Sequence, residues 1–304
     1  MRIFVTGTSG YIGGSVAVAL AAAGHEVSGL VRSQASAEQV VALGVAPVHG
    51  TLDDADILRA AAAGADAVIN SASADHEPSA RALLRALEGT GKTYIHTSGS
   101  SIVGTQSAGQ RVDAVFDEDT PFTPSRGRAA RVALNEHILS FKAKGVRAII
   151  LCPSLIYGLG HGPAKHSTQV PLLIALAKKT GVARHYGPGE NIWSNVHIDD
   201  LVDLYRLALA SSPAGAFYFA ENGENSMRQV CEAINRALGV KTAPVAMSLD
   251  EASREWGEGT AQNTMGSNSR VRAVRARAEL GWRPSRPSLI DEIESGCYAE
   301  CLTR

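Results

Sequence analysis

Thr6-Gly7-Thr8-Ser9-Gly10-Tyr11-Ile12-Gly13 follows the apolar run Arg2-Ile3-Phe4-Val5 and precedes the alanine-rich segment Gly14 to Ala23. The order is strand, glycine turn, helix, and the glycines fall as Gly-x-x-Gly-x-x-Gly. In such a unit the first glycine permits a tight turn and the second lets a pyrophosphate approach the backbone. The third lets helix and strand pack closely. The helix N-terminus then offers free N–H groups and a partial positive charge to phosphates. A lone glycine motif is weak evidence, but here the flanking strand and helix are both in place. The stretch predicts a dinucleotide site with Thr6, Gly7, Ser9, Gly10, Tyr11, Ile12 and Gly13 against the ligand.

Working outward, the same unit repeats. Gly24 closes the first helix, and Glu26 to Val31 reads as a second strand. Helices over 36–43, 54–63, 79–87 and 129–144 alternate with strands near 46–48, 67–69, 94–96 and 147–151. Strand-helix alternation with nearly continuous apolar strands signals a parallel sheet covered on both faces. The fold class expected is α/β: a Rossmann doubly wound parallel sheet with a small C-terminal substrate-binding lobe. Residues 1–155 form the cofactor core, with returning segments near 192–220. Residues 156–304 are mostly the lobe, interleaved with it. There the pattern predicts helices over 170–179, 200–209, 227–238, 270–280 and 290–300, short strands over 183–186 and 216–219, and loops over 158–165 and 257–268.

Composition limits the alternatives. The 304 residues are 45% hydrophobic and 19% charged, with 29 basic and 30 acidic residues. A formal charge of −1 gives no electrostatic reason to expect a nucleic-acid or membrane-surface partner. The start reads as a strand rather than a signal peptide, and the apolar run 16–23 is far shorter than the about 20 residues a bilayer requires. Cys152, Cys231, Cys297 and Cys301 contain no Cys-x-x-Cys pair. They read as free thiols in a reducing cytoplasm. No metal site is expected.

The end of the second strand bears on the choice between NADP and NAD. An acidic residue there binds the ribose 2′-hydroxyl, whereas a basic one accommodates a 2′-phosphate. The sequence reads Gly29-Leu30-Val31-Arg32-Ser33. Arg32 and Ser33 place NADP ahead of NAD, the alternative being that Arg32 is a solvated surface residue. Leu52, Ala72, Thr97 and Pro153 complete the expected cofactor-binding set.

Five stretches together resemble the short-chain dehydrogenase/reductase superfamily in its extended or atypical, epimerase/dehydratase-like branch. They are TGTSGYIGG from Thr6, HTSGSSIVG from His96, CPSLIYG from Cys152, NVHIDDLVDLY from Asn195 and ELGWRP from Glu279. The resemblance spans almost the whole chain and implies hydride transfer to or from a carbonyl carbon. It also exposes a departure. The family's fifth-strand Ser or Thr falls on Gly99, flanked by Ser98 and Ser100. Its Tyr-x-x-x-Lys pair falls on Arg128 and Val132, anchored on Glu136, and its supporting Asn falls near Asp75. Tyrosine passes a proton while hydride moves, and the lysine lowers its pKa. A guanidinium does not deprotonate in proteins, so Arg128 suits polarising a carbonyl or holding an anionic group.

Ser100, Arg128 and Tyr157 are therefore the catalytic candidates, with water as a further proton source. Tyr157 reads more readily as a wall residue near the nicotinamide than as a substitute proton donor. His161 and His166 sit in a glycine-rich loop that suits a proton shuttle or a simple lid. Asp199 or Asp200 reads as a helix cap, and Trp193 as pocket lining or core. Arg126, Arg128 and Arg131 cluster, as do Arg270, Arg272, Arg275 and Arg277 on a supposed helix. Either group suits phosphate or carboxylate recognition or a solvated face, with Arg270 the better placed.

The functional expectation is an NADP(H)-dependent oxidoreductase acting on a small-molecule carbonyl substrate. A non-catalytic NADP(H)-sensing regulator and a nucleotide-sugar epimerase or dehydratase are the alternatives. A homodimer through the apolar fourth and terminal helices stands beside simple burial of those helices in the monomer. Arg32→Ala is expected to weaken NADPH binding roughly tenfold to a hundredfold, the worth of one charge-assisted hydrogen bond, while barely touching NADH. Equal losses for both cofactors in a fluorescence titration would overturn the assignment of Arg32.

Overall fold

A computed structural model describes residues 1–299 and 302. Along the chain run β1 (Arg2–Thr6), α1 (Tyr11–Ala22), β2 (Glu26–Val31), α2 (Gln34–Val41), β3 (Ala46–His49), α3 (Ala55–Gly64), β4 (Ala67–Asn70), α4 (Glu77–Leu87) and β5 (Thr93–Thr97). After a 3-10 turn at Ser100–Val103 come β6 (Thr105–Gln106), α5 (Ala129–Ser140), β7 (Arg147–Pro153), β8 (Leu155–Tyr157), α6 (Gln169–Thr180) and β9 (Arg184–Tyr186). Then follow β10 (Ile192–His197), α7 (Ile198–Ser211), β11 (Ala216–Ala220), β12 (Glu224–Ser226), α8 (Met227–Ala237), β13 (Val245–Met247), α9 (Leu249–Trp256), α10 (Glu258–Thr260), β14 (Ser267–Asn268), α11 (Val274–Leu280) and α12 (Leu289–Glu294).

The central sheet has the order β3-β2-β1-β4-β5-β7-β11, and every pairing is parallel. Side-chain alternation explains why both faces are covered. Ile3, Val5, Ile69, Ile95, Ile149 and Leu151 point into one core, shared with α1, α2, α7 and α11. Phe4, Val68, Tyr94, Ala148 and Ile150 point into the other, shared with α3, α4 and α5. The strand order reverses between β1 and β4, which opens a crevice at their carboxyl ends.

A buried polar network braces that crevice from below. Thr6 donates its hydroxyl to Asn70 Oδ1 at 2.6 Å, and Asn70 Nδ2 donates to the Tyr94 hydroxyl at 3.0 Å and to His96 Nδ1 at 3.3 Å. Ser71 Oγ donates back to the Thr6 carbonyl at 2.8 Å. These bonds join β1, β4 and β5 just where the Gly-rich turn leaves the sheet.

The second half wraps a smaller layer around this core. β12, β10 and β8 form a three-stranded sheet, and β9 pairs with β13. A third apolar cluster combines α6, α8 and α12 with Tyr157, Trp193 and Tyr298. Residues 196–220 return to the central core, and so do Val271, Ala276 and Trp282. Asp200 holds that second return. Its buried carboxylate accepts from the backbone N–H groups of Ser285 at 2.9 Å and Arg286 at 3.2 Å, and its carbonyl accepts from Trp282 Nε1 at 2.8 Å.

Several local expectations need correction. His197, not Asp199 or Asp200, caps α7, its ring accepting from the Asp199 N–H. Residues 270–273 are extended, with Val271 bridged to Phe116, so the helix expected from 270 starts at Val274. The supposed loop 257–268 contains α10, a π turn at Ala261–Met265 and β14, which pairs with β6. The terminal helix stops at Glu294, six residues short of the expected end. Glu300 and Cys301 lie outside the described residues. The apolar residues of α4 and α12 are spent inside the monomer, Leu83 and Leu84 in one core and Leu289 and Ile293 in another.

Two stability measurements follow. Asp200→Ala orphans two backbone donors and is expected to cost about 1–3 kcal/mol in urea unfolding; a loss within error would show that the 285–286 turn is held by other contacts. Burial pulls the His96 pKa from its ordinary 6.5 down to about 4. Within that window the unfolded chain binds a proton that the folded chain refuses, so stability falls as the pH drops from 6.5 towards 4. At about 1.4 kcal/mol per unit the loss is on the order of 3 kcal/mol. His96→Asn is expected to flatten that slope in urea midpoints measured across the window; an unchanged slope would assign it to other groups.

Candidate active site

The Gly-rich turn allows a closer approach than any side chain would permit. Gly7 adopts φ +80°, and a Cβ there would stand 2.9 Å from the Ala72 backbone. A Cβ on Gly13 would stand 2.5 Å from the Gly7 carbonyl oxygen and 2.6 Å from Ser71 Oγ. The turn thus packs directly on the end of β4, and the N–H groups of the first turn of α1 face the crevice without intrahelical partners. Neither α1 nor α6 carries an acidic residue in its first turn. This bare, donor-rich cradle fits the pyrophosphate of a dinucleotide.

Two adjoining cavities share Gly7, Gly10 and Ala72 and make one groove across the sheet edge. One, about 480 Å³, is walled by Ser9, Leu30, Arg32, Leu52, Asp53 and His76. The other, about 350 Å³, is walled by Ile12, Gly13, Ser71, Ser154, Ile156 and His166. Arg32 is exposed and has no side-chain partner among the described residues. Asp53 shares its cavity, but that carboxylate faces His76 Nε2 at 3.2 Å.

Other members of the expected cofactor set lie elsewhere. The hydroxyls of Thr6 and Thr97 are buried and bonded to Asn70 and Tyr205, so both brace the groove from beneath. Ser33 caps α2 by accepting from the Ser36 N–H at 3.2 Å. Pro153 is buried at the end of β7, and the wall is formed instead by Ser154 and Ile156 just after it. Sequence reasoning had the right stretch but missed which residues of it face inward. Tyr11 lines the groove, and its hydroxyl donates to the Gly158 carbonyl at 2.9 Å.

That last bond belongs to a strap. Residues 158–168 cross beside α1, with the His161 N–H donating to Ser15 Oγ at 3.0 Å. Gly162 lies so close to Gly14 that a Cβ on either would clash with the other's backbone. His161 Nε2 contacts Asp199 Oδ1 at 2.5 Å, which fixes the strap to α7. His166 reaches the groove from the strap, and its ring packs on Tyr298 at a centroid distance of 6.1 Å.

The catalytic candidates separate. Tyr157 is fully buried, stacks edge-on against His197 and donates its hydroxyl to the Pro287 carbonyl at 2.8 Å, so it faces the lobe interior and not the groove. Ser100 is 1% exposed, with its hydroxyl bonded to Ser269 at 2.9 Å. Ser98 accepts from Asn135 Nδ2 at 3.0 Å. The half-buried hydroxyl of this segment is that of Ser101, which accepts from Arg131 Nη1 at 3.1 Å. Arg131 in turn grips Asp75 with two nitrogens, Nε lying 2.7 Å from Oδ1. The Arg131 hydrogen bond holds the Asp75 carboxyl below its usual range. The one-residue shift from Ser100 to Ser101 arises from the 3-10 turn, whose register the sequence does not announce.

Arg128 stands at the N-terminus of α5. It is half-buried, and no ion pair or side-chain hydrogen bond engages it among the described residues. Burial, then the charge of Arg131, lower its pKa from the ordinary guanidinium value. Val132, at the family's lysine position, packs partly buried against the core.

The second arginine group is spent internally. Arg270 and Arg272 pair with Glu224, Arg275 with Asp119 and Arg277 with Glu221. Trp193 is buried and donates Nε1 to the Ser267 carbonyl at 2.7 Å. Cys152 and Cys231 are buried free thiols, and burial pushes Cys152 up to about 12. Among the described residues, no cluster of His, Cys, Asp or Glu is placed to hold a metal, and no helix is long and apolar enough to cross a membrane.

Comparison with known proteins places this groove in a family. Residues 3–219 match the model of the NAD dependent epimerase/dehydratase family. The chain is 33% identical to the oxidase ucsJ of an Acremonium species, over 96% of this chain and 95% of that protein. It is 30% identical to the 4-hydroxy-2-methyl-3-oxo-4-farnesyl-3,4-dihydroquinoline-1-oxide ketoreductase of Stigmatella aurantiaca, over 73% of this chain and 69% of that one. A crystal structure of dTDP-glucose 4,6-dehydratase from Streptomyces venezuelae with NAD bound superposes with a TM-score of 0.75 at 22% identity, covering 99% of this chain and 100% of that one. The chain belongs to the NAD-dependent epimerase/dehydratase family.

Proposed function

We propose that the protein is an NADP(H)-dependent oxidoreductase that interconverts a small carbonyl compound and its alcohol. The observation that carries the reading is the half-buried, unpartnered guanidinium of Arg128, at the family's tyrosine position near the Asp75–Arg131 pair. The names of the oxidase and ketoreductase relatives support redox chemistry. The Streptomyces venezuelae dehydratase holds NAD, but at 22% identity its likeness to this chain is one of fold. The preference for NADP rests on Arg32, which lines the groove with no partner.

When bound, the dinucleotide supplies the hydride: NADPH, a proton and a carbonyl give NADP⁺ and an alcohol. The chain's own residues supply the rest. Backbone donors of the Gly-rich turn and α1 hold the phosphates. Arg128 stabilises the negative charge that develops on the carbonyl oxygen, as a fixed donor does in an oxyanion hole. The Ser101 hydroxyl, which accepts from Arg131, keeps its own proton available for that oxygen. Arg131 and Asp75 act as positioning residues for it. No proton passes through Tyr157, whose hydroxyl serves Pro287.

Oxidation of NADPH followed by absorbance against aldehydes, ketones, quinones and imines is the direct test. Turnover of a carbonyl class is expected. Tight NADPH binding with no turnover across the panel would favour a cofactor-sensing regulator. With a substrate in hand, Arg128→Gln is expected to lower kcat about a hundredfold, the usual cost of one oxyanion donor, with little change in NADPH affinity. An unchanged kcat would remove Arg128 from the chemistry.

A further inference from the structure

Beyond Arg128, away from the dinucleotide groove, lies a separate cavity of about 550 Å³. That volume suits a small organic ligand. It is walled by Arg126, Arg128, Thr105, Thr123, Ser125 and Asn263, and no carboxylate contributes to its lining. Its amides are satisfied internally, since Gln106 donates to Asn263 Oδ1 at 2.7 Å and Asn263 Nδ2 donates to the Gly259 carbonyl at 3.0 Å. Its guanidiniums are not. Arg126 and Arg128 have no ion pair among the described residues, whereas Arg270, Arg272, Arg275 and Arg277 all do.

A backbone turn carries both cations to the one cavity. Both the Arg128 and Ala129 N–H groups donate to the Ser125 carbonyl, at 2.8 and 3.0 Å, which folds 125–129 into a tight turn. Arg128 is half-buried and feels the charge of Arg131 as well, so an anion in the cavity would offset a cation that no carboxylate of the lining neutralises. Planar guanidinium donors suit carboxylate and phosphate oxygens above other acceptors. A carboxylate fits best here, because the remaining polar lining groups are the hydroxyls of Thr105, Thr123 and Ser125 and two amides already bonded to the protein, too few free donors for a multiply charged head.

We infer that this cavity binds the carboxylate of the substrate, so that the enzyme acts on an oxo acid or a carboxyl-bearing aldehyde or ketone. The inference deepens the oxidoreductase reading and rests on it for the fate of the carbonyl. Arg126 holds the anionic tail at the exposed rim. Arg128 lines the same cavity and is the donor that the proposed reaction assigns to the carbonyl oxygen, so tail and carbonyl would share one arginine.

The test uses full-length protein and two matched pairs of probes. In NADPH turnover, 4-formylbenzoate is expected to exceed its methyl ester in kcat/KM by about tenfold to a hundredfold, mostly through KM, as one charge-assisted contact predicts. Arg126→Gln is expected to bring that ratio towards one, and Arg126→Glu to bring it below one. In saturation-transfer NMR of NADP⁺-loaded protein, benzoate at millimolar concentration is expected to bind and benzamide to bind more weakly, with the difference lost in Arg126→Gln. Equal turnover of acid and ester together with no selective benzoate binding overturns the anion site and leaves the reductase reading standing. Arg126-dependent benzoate binding with no carbonyl turned over supports the anion site and sinks the reductase.

Discussion

Everything in this molecule depends on how closely the turn after β1 approaches the end of β4. Gly7 and Gly13 omit the atoms that would hold the two apart, and the Thr6–Asn70–His96 network ties the same strands from within the sheet. The crevice is narrow because of these contacts, and its donors point one way because α1 can start nowhere else. Buried polar networks are costly when incomplete and rigid when satisfied. This one sits under the Gly-rich turn, bonded at Thr6, Asn70 and Tyr94, with the buried His96 Nε2 left without a hydrogen bond.

Most of the central sheet was legible because its signals are local. Apolar strands, glycine closures and alanine-rich helices each declare themselves within a few residues, and their alternation has few solutions. The misreadings fall where the deciding contact is distant in sequence. Residues 270–273 carry a helical composition, yet Val271 bridges to Phe116 and Arg270 reaches Glu224, so tertiary pairing overrides propensity. Asp200 looked like a helix cap from its position. It anchors a turn more than eighty residues away, a contact that spacing cannot reveal.

The site divides in the same way. The backbone turn was readable, since glycine spacing dictates its close approach, and Arg32, singled out from its place at a strand end, does line the groove. Side-chain chemistry was less so. Ser100, Thr97 and Tyr157 are polar residues in the right stretches, but each spends its hydroxyl on a neighbour: Ser269, Tyr205 and Pro287. Whether a hydroxyl faces a cleft or a core turns on a single residue of register, and a 3-10 turn shifts that register without changing the sequence pattern. Arg128 differs in that its guanidinium is half-buried and has no ion pair or side-chain hydrogen bond among the described residues. It stood out because a cation sat where a proton carrier was expected, and a departure from a pattern survives errors of one residue.

The strap over 158–168 shares its supports with the first helix. Tyr11 and Ser15 serve both, one lining the groove while its hydroxyl holds Gly158, the other receiving the His161 N–H. Any displacement of the strap is therefore felt at the first turn of α1, and whatever rests on that turn is felt by the strap. Two segments about 150 residues apart in the chain thus answer to the same two hydroxyls.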